Sequence, residues 1–96
     1  MTNTTFTVRQ ADAHDGYAIH RLAAIDSSAA PTGDVLLAEV GDELWAALDV
    51  DTGEAIADPF RPSGELVELL RFHAASELRR RRDERPRLQR LIARAA

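Results

Sequence analysis

The sequence predicts a small α+β domain in the order strand, helix, three-strand antiparallel meander, helix. Three observations carry that expectation. Gly41-Asp42 separates two apolar runs, Val35–Val40 and Glu43–Val50, and such a pair is a strong two-residue hairpin signal. Ala18, Ile19, Leu22, Ala23 and Ile25 recur at helical spacing, as do Leu66, Val67, Leu70, Ala74 and Leu78. The length, 96 residues, fits one domain and no more. Residues 1–96 therefore read as a single unit with an Arg-rich helical tail over residues 79–96.

Phe6-Thr7-Val8-Arg9-Gln10 alternates β-favouring residues and reads as the first strand. Asp12 is placed as an N-cap, with Asp15 three residues on in a capping-box position, so a helix is expected over Asp12–Asp26. Ser27-Ser28 should end it, and Pro31-Thr32-Gly33 is a loop. Both hairpin strands carry apolar residues on both faces, which predicts cover on both sides. Trp45, the sole Trp, is expected to lie largely buried under a helix. Asp51-Thr52-Gly53 forms the next turn, and Glu54-Ala55-Ile56-Ala57 a short third partner. Ser63 is expected to cap a second helix over Ser63–Arg82, with Glu65 favourably placed in its first turn. Phe72 lies off the apolar stripe of that helix. Pro86 is expected to break or kink it, leaving Arg87–Ala96 as a short amphipathic turn with Leu88, Leu91 and Ile92.

Composition excludes several classes of chemistry. Without cysteine there is no disulfide framework, no thiolate nucleophile and no Cys-based zinc site. No apolar run approaches the ~20 residues of a membrane helix. Met1–Thr5 is polar and uncharged, unlike a secretory leader, so the expected location is the cytoplasm. Charge is divided along the chain. Residues 1–68 hold thirteen Asp/Glu against three Arg, a net −10; residues 69–96 hold three Asp/Glu against nine Arg, a net +6. An acidic body and a basic tail attract each other within or between chains.

No residue set assembles into a catalytic constellation or a metal site. His14 and His20 are six apart, not the i, i+4 spacing of a helical metal pair, and His73 stands alone. Asp49-Val50-Asp51-Thr52-Gly53-Glu54 starts like a calcium loop but lacks the third acidic ligand and the distal Glu, so a solvated turn is the better reading. Glu39, Glu43, Asp49 and Glu54 read as charges that keep strands soluble. Arg79–Arg82, with Arg85, Arg87, Arg90 and Arg94, form the strongest charge run. Consecutive Arg residues wrap round a helix, and no aromatic residue interleaves with them for base stacking. Nucleic acid is thus the weaker partner class, although phosphate contacts by the tail would make it one.

Val8-Arg9-Gln10-Ala11 with Asp15, then Ala18-Ile19-His20-Arg21-Leu22-Ala23 and Asp26, is similar to the opening strand and helix of the GNAT acetyltransferases. Leu36–Leu48 resembles their second and third strands. The resemblance covers residues 6–57, and the following helix by position. It implies a GNAT-like half fold and, for an active member, acetyl-CoA held by a Gly- and Arg/Gln-rich turn opening the next helix. Here that place holds Pro59-Phe60-Arg61-Pro62-Ser63-Gly64-Glu65. Pro62 removes a donor, and Glu65 sets a carboxylate where a phosphate would sit. Arg61 alone stands as a possible remnant, and the chain stops before the family's remaining strands.

The leading expectation is therefore a catalytically inactive GNAT-like interaction module with no cofactor, most simply a homodimer. Phe72, Leu88, Leu91 and Ile92 are its candidate interface. Two alternatives stand beside it: an acetyl-CoA-dependent N-acetyltransferase completed by a second chain, and a small nucleic-acid-binding regulator using the Arg-rich tail.

Overall fold

In the computed structural model of the chain, the backbone of residues 5–95 and the side-chain surroundings of residues 5–83 are described. The fold is α+β. β1 (Phe6–Gln10), β2 (Val35–Val40), β3 (Glu43–Asp49) and β4 (Ala55–Ala57) form one sheet in the order β1-β2-β3-β4, every neighbour antiparallel. α1 (Gly16–Ile25) covers one face and α2 (Gly64–Ala95) the other.

Alternation along the strands sorts the core into two layers. Val35, Leu37, Ala47 and Ile56 point toward α1 and pack with Ile19, Leu22 and Ala23. Ala38, Ala46 and Leu48 point toward α2 and pack with Leu66, Leu70 and Ala74. The sheet is buried on both faces, as the apolar composition of both hairpin strands predicts. Alanine at positions 38, 46 and 47 leaves no side chain beyond Cβ to hold a helix away, and all three are fully buried. Gly41, at φ 63°, occupies the left-handed position that the two-residue turn between Val40 and Glu43 requires.

The first helix begins differently from the sequence expectation. Ala13–Asp15 form a 3₁₀ turn before α1 starts at Gly16. The Asp12/Asp15 capping box is present: the Asp12 carboxylate accepts from the His14 amide at 2.8 Å, and the Asp15 carboxylate accepts from the Asp12 amide at 2.7 Å. Asp15 is also buried and receives two bonds from the Arg9 guanidinium of β1, at 2.7 and 2.9 Å. Arg9 in turn donates to Glu39 of β2 at 2.6 Å. One arginine thus joins β1, β2 and the start of the first helical layer.

Two further expectations are corrected. Ser63 sits at the N-cap position, its carbonyl accepting from the Val67 amide at 3.0 Å, but its hydroxyl donates to the Asp58 carbonyl at 3.0 Å. It fastens the β4–α2 loop instead of capping the helix. Trp45, partly buried, packs against the α2 layer. α2 runs from Gly64 to Ala95 without a break at Pro86. Proline removes one bond, to the Arg82 carbonyl, at a cost of about 3 kcal/mol. The Arg, Glu, Leu, Gln and Ala residues on either side are strong helix formers that continue the helix past it.

The Arg9 guanidinium and the Asp12 amide together hold the Asp15 carboxyl well below the usual carboxylate range. A depressed folded-state pKa stabilises the fold fully above the unfolded value, ~3.9, and that contribution fades as pH falls below it toward the folded value. Asp15→Asn is expected to cost about 1–2 kcal/mol at neutral pH. It should also flatten the decline of melting temperature below about pH 4 relative to wild type. Thermal denaturation of both proteins from acid to neutral pH tests this; parallel curves would remove Asp15 from the acid sensitivity.

Candidate functional site

An apolar recess lies on the α2 face, at the end of the sheet where α2 begins. A break in strand alternation creates it. Ala38 of β2 pairs with Ala46, yet its neighbour Glu39 pairs with Leu44, so Trp45 is an extra residue on β3, a β-bulge. Unbroken alternation would send Trp45 to the α1 side. The bulge sends Leu44 there and turns Trp45 to the α2 side, beside Ala46.

Trp45 then forms a wall of a cleft of about 660 Å³. Phe6 of β1 and Val40 of β2 line its floor, while Leu66 and Leu69 of α2 close its far side. Pro62, Gly64 and Glu65 form its margin at the start of α2. The lining is mainly apolar. Phe6 remains 45% exposed, so the recess is left open by the described residues. Beyond Leu69, one helical turn along α2, Phe72 is 65% exposed, its ring set edge-on to His73 at 6.1 Å. Three residues apart on a helix, Leu69 and Phe72 are neighbours, so the apolar surface extends from the cleft onto α2.

Polar groups around the cleft are largely committed to one another. Arg61 places its guanidinium carbon 5.3 Å from the Trp45 ring centroid, in cation–π range. The same guanidinium pairs with Glu43 at 2.5 Å and approaches Asp58 at 3.9 Å. As a phosphate ligand it would have to leave both carboxylates. Because the Ser63 hydroxyl faces the Asp58 carbonyl, no side chain among the described residues accepts from the Gly64, Glu65 or Leu66 amides. Glu65 provides the negative charge that this helix start favours. Trp45 Nε1 is buried without a hydrogen-bond partner among the described residues.

The remaining sequence candidates are dispersed. His14 and His20 belong to the α1 layer and His73 to α2, on opposite faces of the sheet. His20 Nδ1 lies 2.8 Å from the Gly16 carbonyl. Asp49 is buried, and its carboxylate accepts from the Asp51 and Thr52 amides at 2.9 and 3.0 Å, which makes it the organiser of a turn. Glu39 is held by Arg9 and Glu43 by Arg61, while Glu54 is exposed. Among the described residues no group of three His, Cys, Asp or Glu is arranged to hold a metal ion. Of the candidate interface residues, Phe72 stands beside the cleft; the side chains of Leu88, Leu91 and Ile92 lie outside the described residues.

Sequence reasoning missed two features. A second recess of about 260 Å³ on the α1 side sets Tyr17 and Arg21 beside Asp42, Glu43, Asp58 and Arg61, a mixed-charge surface. The cleft itself was also missed, because an extra residue in a strand leaves no mark on an apolar run. No helix among the described residues is long and apolar enough to cross a membrane. Compared with protein-family models, curated proteins and solved structures, the chain matches none of them significantly.

The unpartnered indole nitrogen separates two contributions of Trp45. Trp45→Ala removes a large apolar wall from a half-buried site and should cost about 2–4 kcal/mol. Trp45→Phe keeps most of the wall and removes a buried donor with nothing to donate to. It should be neutral or stabilise by up to about 1 kcal/mol. Urea denaturation at one fixed protein concentration gives both values; a large loss in the Phe variant would mean that the N–H has a partner.

Proposed function

We propose that this chain is a GNAT-like interaction module of the cytoplasm that associates with a second copy of itself and transfers no acyl group. The observation that carries the reading is the uncovered apolar cleft built round Trp45 and continued by Phe72. An apolar recess left open to water is unfavourable by about 25 cal/mol per Å² of apolar surface, and a partner removes that surface. The state of the β4–α2 connection also supports it. Arg61 is tied to Glu43, Pro62 lacks an amide hydrogen, and Glu65 puts a carboxylate at the helix start. The division of charge favours contact between the acidic body of one copy and the basic helix of another.

A second reading, an acetyl-CoA-dependent N-acetyltransferase completed by another chain, is favoured by one observation. Among the described residues no side chain accepts from the first-turn amides of α2, and these amides border the cleft. That arrangement suits an anion, provided Glu65 turns away.

Two measurements separate the readings. Light scattering of the full-length chain at micromolar concentration should give twice the monomer mass. Acetyl-CoA at millimolar concentration should leave the melting temperature unchanged. A rise of several degrees would favour the transferase, because a ligand that binds the native state must stabilise it. A monomer mass would overturn self-association.

A further inference from the structure

The inward stripe of α2 outlasts the sheet that it covers. Leu66, Leu70, Ala74 and Leu78 lie on the sheet, and the next residue of the stripe, Arg81, closes its end. Its guanidinium reaches Asp34, just before β2, at 2.6 Å and Asp51, just after β3, at 3.2 Å. α2 nevertheless continues to Ala95. At ~100° per residue the sequence returns to the same stripe at Leu88, Leu91 and Ile92. These positions follow Arg81 by seven to eleven residues, roughly 10–16 Å along a helix axis. The chain therefore carries an apolar cleft at the start of α2 and, by its sequence, an amphipathic stretch at the end of the same helix.

Charge makes the two complementary. Arg85, Arg87, Arg90 and Arg94 interleave with the apolar positions of the arm. The mouth of the cleft carries Glu65, with the exposed Glu68 one turn on. Across residues 1–68 the body is at −10. A second copy satisfies both features at once, since a two-fold pair places each arm on the other copy's cleft and closes the assembly.

Resting on the self-association reading above, we propose that the cleft is occupied by the end of α2 from a second copy. Leu88, Leu91 and Ile92 of that copy lie against Phe6, Val40, Trp45 and Leu69, and Phe72 extends the contact along α2. Arg residues of the arm meet Glu65 and Glu68. This site recognises an amphipathic basic helix, and the chain supplies that helix itself.

The test uses the full-length chain, because its single Trp stands in the wall of the cleft and its emission reports on occupancy. Light scattering and Trp45 emission are read together on wild type, Leu91→Asp and Leu69→Asp, with helical ellipticity checking that each is folded. Wild type is expected to be a dimer whose emission shifts to the red on dilution. Leu91→Asp should weaken the dimer at least tenfold and give the red-shifted emission at a concentration where wild type is paired. Leu69→Asp should do the same, and mixing the two variants should restore a dimer, since one intact arm then meets one intact cleft. Should Leu69→Asp fail to fold, deletion of residues 86–96 provides the second variant, with the same monomer expected. A dimer that persists with unchanged emission in Leu91→Asp overturns the arm-in-cleft contact and leaves self-association standing. A wild-type monomer overturns both, including the case in which its mass changes only on adding an oligonucleotide.

Discussion

The β2–β3 hairpin must be buried on both faces, and the rest of the structure follows from that constraint. Leu37, Ala47 and Ile56 need cover on one side, while Ala38, Ala46 and Leu48 need it on the other. One helix cannot supply both. The chain spends its first connection on α1 and its last long segment on α2, and the two core layers share no helix. Small residues at the centre allow close approach from either side. The ionic links sit at the margins and keep the layers in register: Arg9 joins β1, β2 and the turn before α1, and Arg81 joins α2 to the loops around Asp34 and Asp51. The more exposed Arg81 pairs contribute little to stability. Their value lies in fixing where the helices cross the sheet.

A sheet covered on both sides has little room for a site, and the bulge at Trp45 makes the exception. It sets two consecutive side chains, Trp45 and Ala46, on the same face. The large indole stands beside the small Ala46 side chain, and Pro62 and Gly64 border the space between them and the start of α2. A cleft opens there. The β4–α2 loop is spent on internal contacts, Arg61 with Glu43 and Ser63 with the Asp58 carbonyl. The surface left over is apolar, which suits association better than chemistry on a polar substrate.

The elements and their order were legible because they rest on local signals. Gly41-Asp42 marks a turn whose Gly has the positive φ it needs, Asp12 and Asp15 form the box that their spacing suggests, and the apolar content of both hairpin strands forecasts two helical layers. The site was less legible. A bulge depends on pairing between Ala38-Glu39 and Leu44–Ala46, which neither strand encodes alone, and it decides which face Trp45 takes. Ser63 matched every rule for a cap, yet its hydroxyl found a nearer carbonyl acceptor in the preceding loop. Pro86 matched the rule for a break, but a rule about one residue yields when its neighbours on both sides favour the helix. Phe72 was recognised as off the stripe because exposure on a helix follows from spacing alone.

The lengths of the elements bear on why such a fold would associate. The strands have three to seven residues, at most about 24 Å, while the 32 residues of α2 extend about 48 Å. The longest strand thus spans about half the length of the helix. Helical ends without tertiary contacts are marginal in water, because propensity alone barely offsets the ordering of the backbone. A chain of this size also has a modest core from which to hold them. An amphipathic arm of the same chain, repeating the stripe that its first half already uses against a sheet, is suited to an apolar surface of similar character. The Trp45 cleft, bordered by Leu66 and Leu69 of that first half, is such a surface. In the pair proposed above, packing the arm there would extend the burial logic of the single chain across a two-fold axis, with α2 a core helix at one end and a ligand at the other.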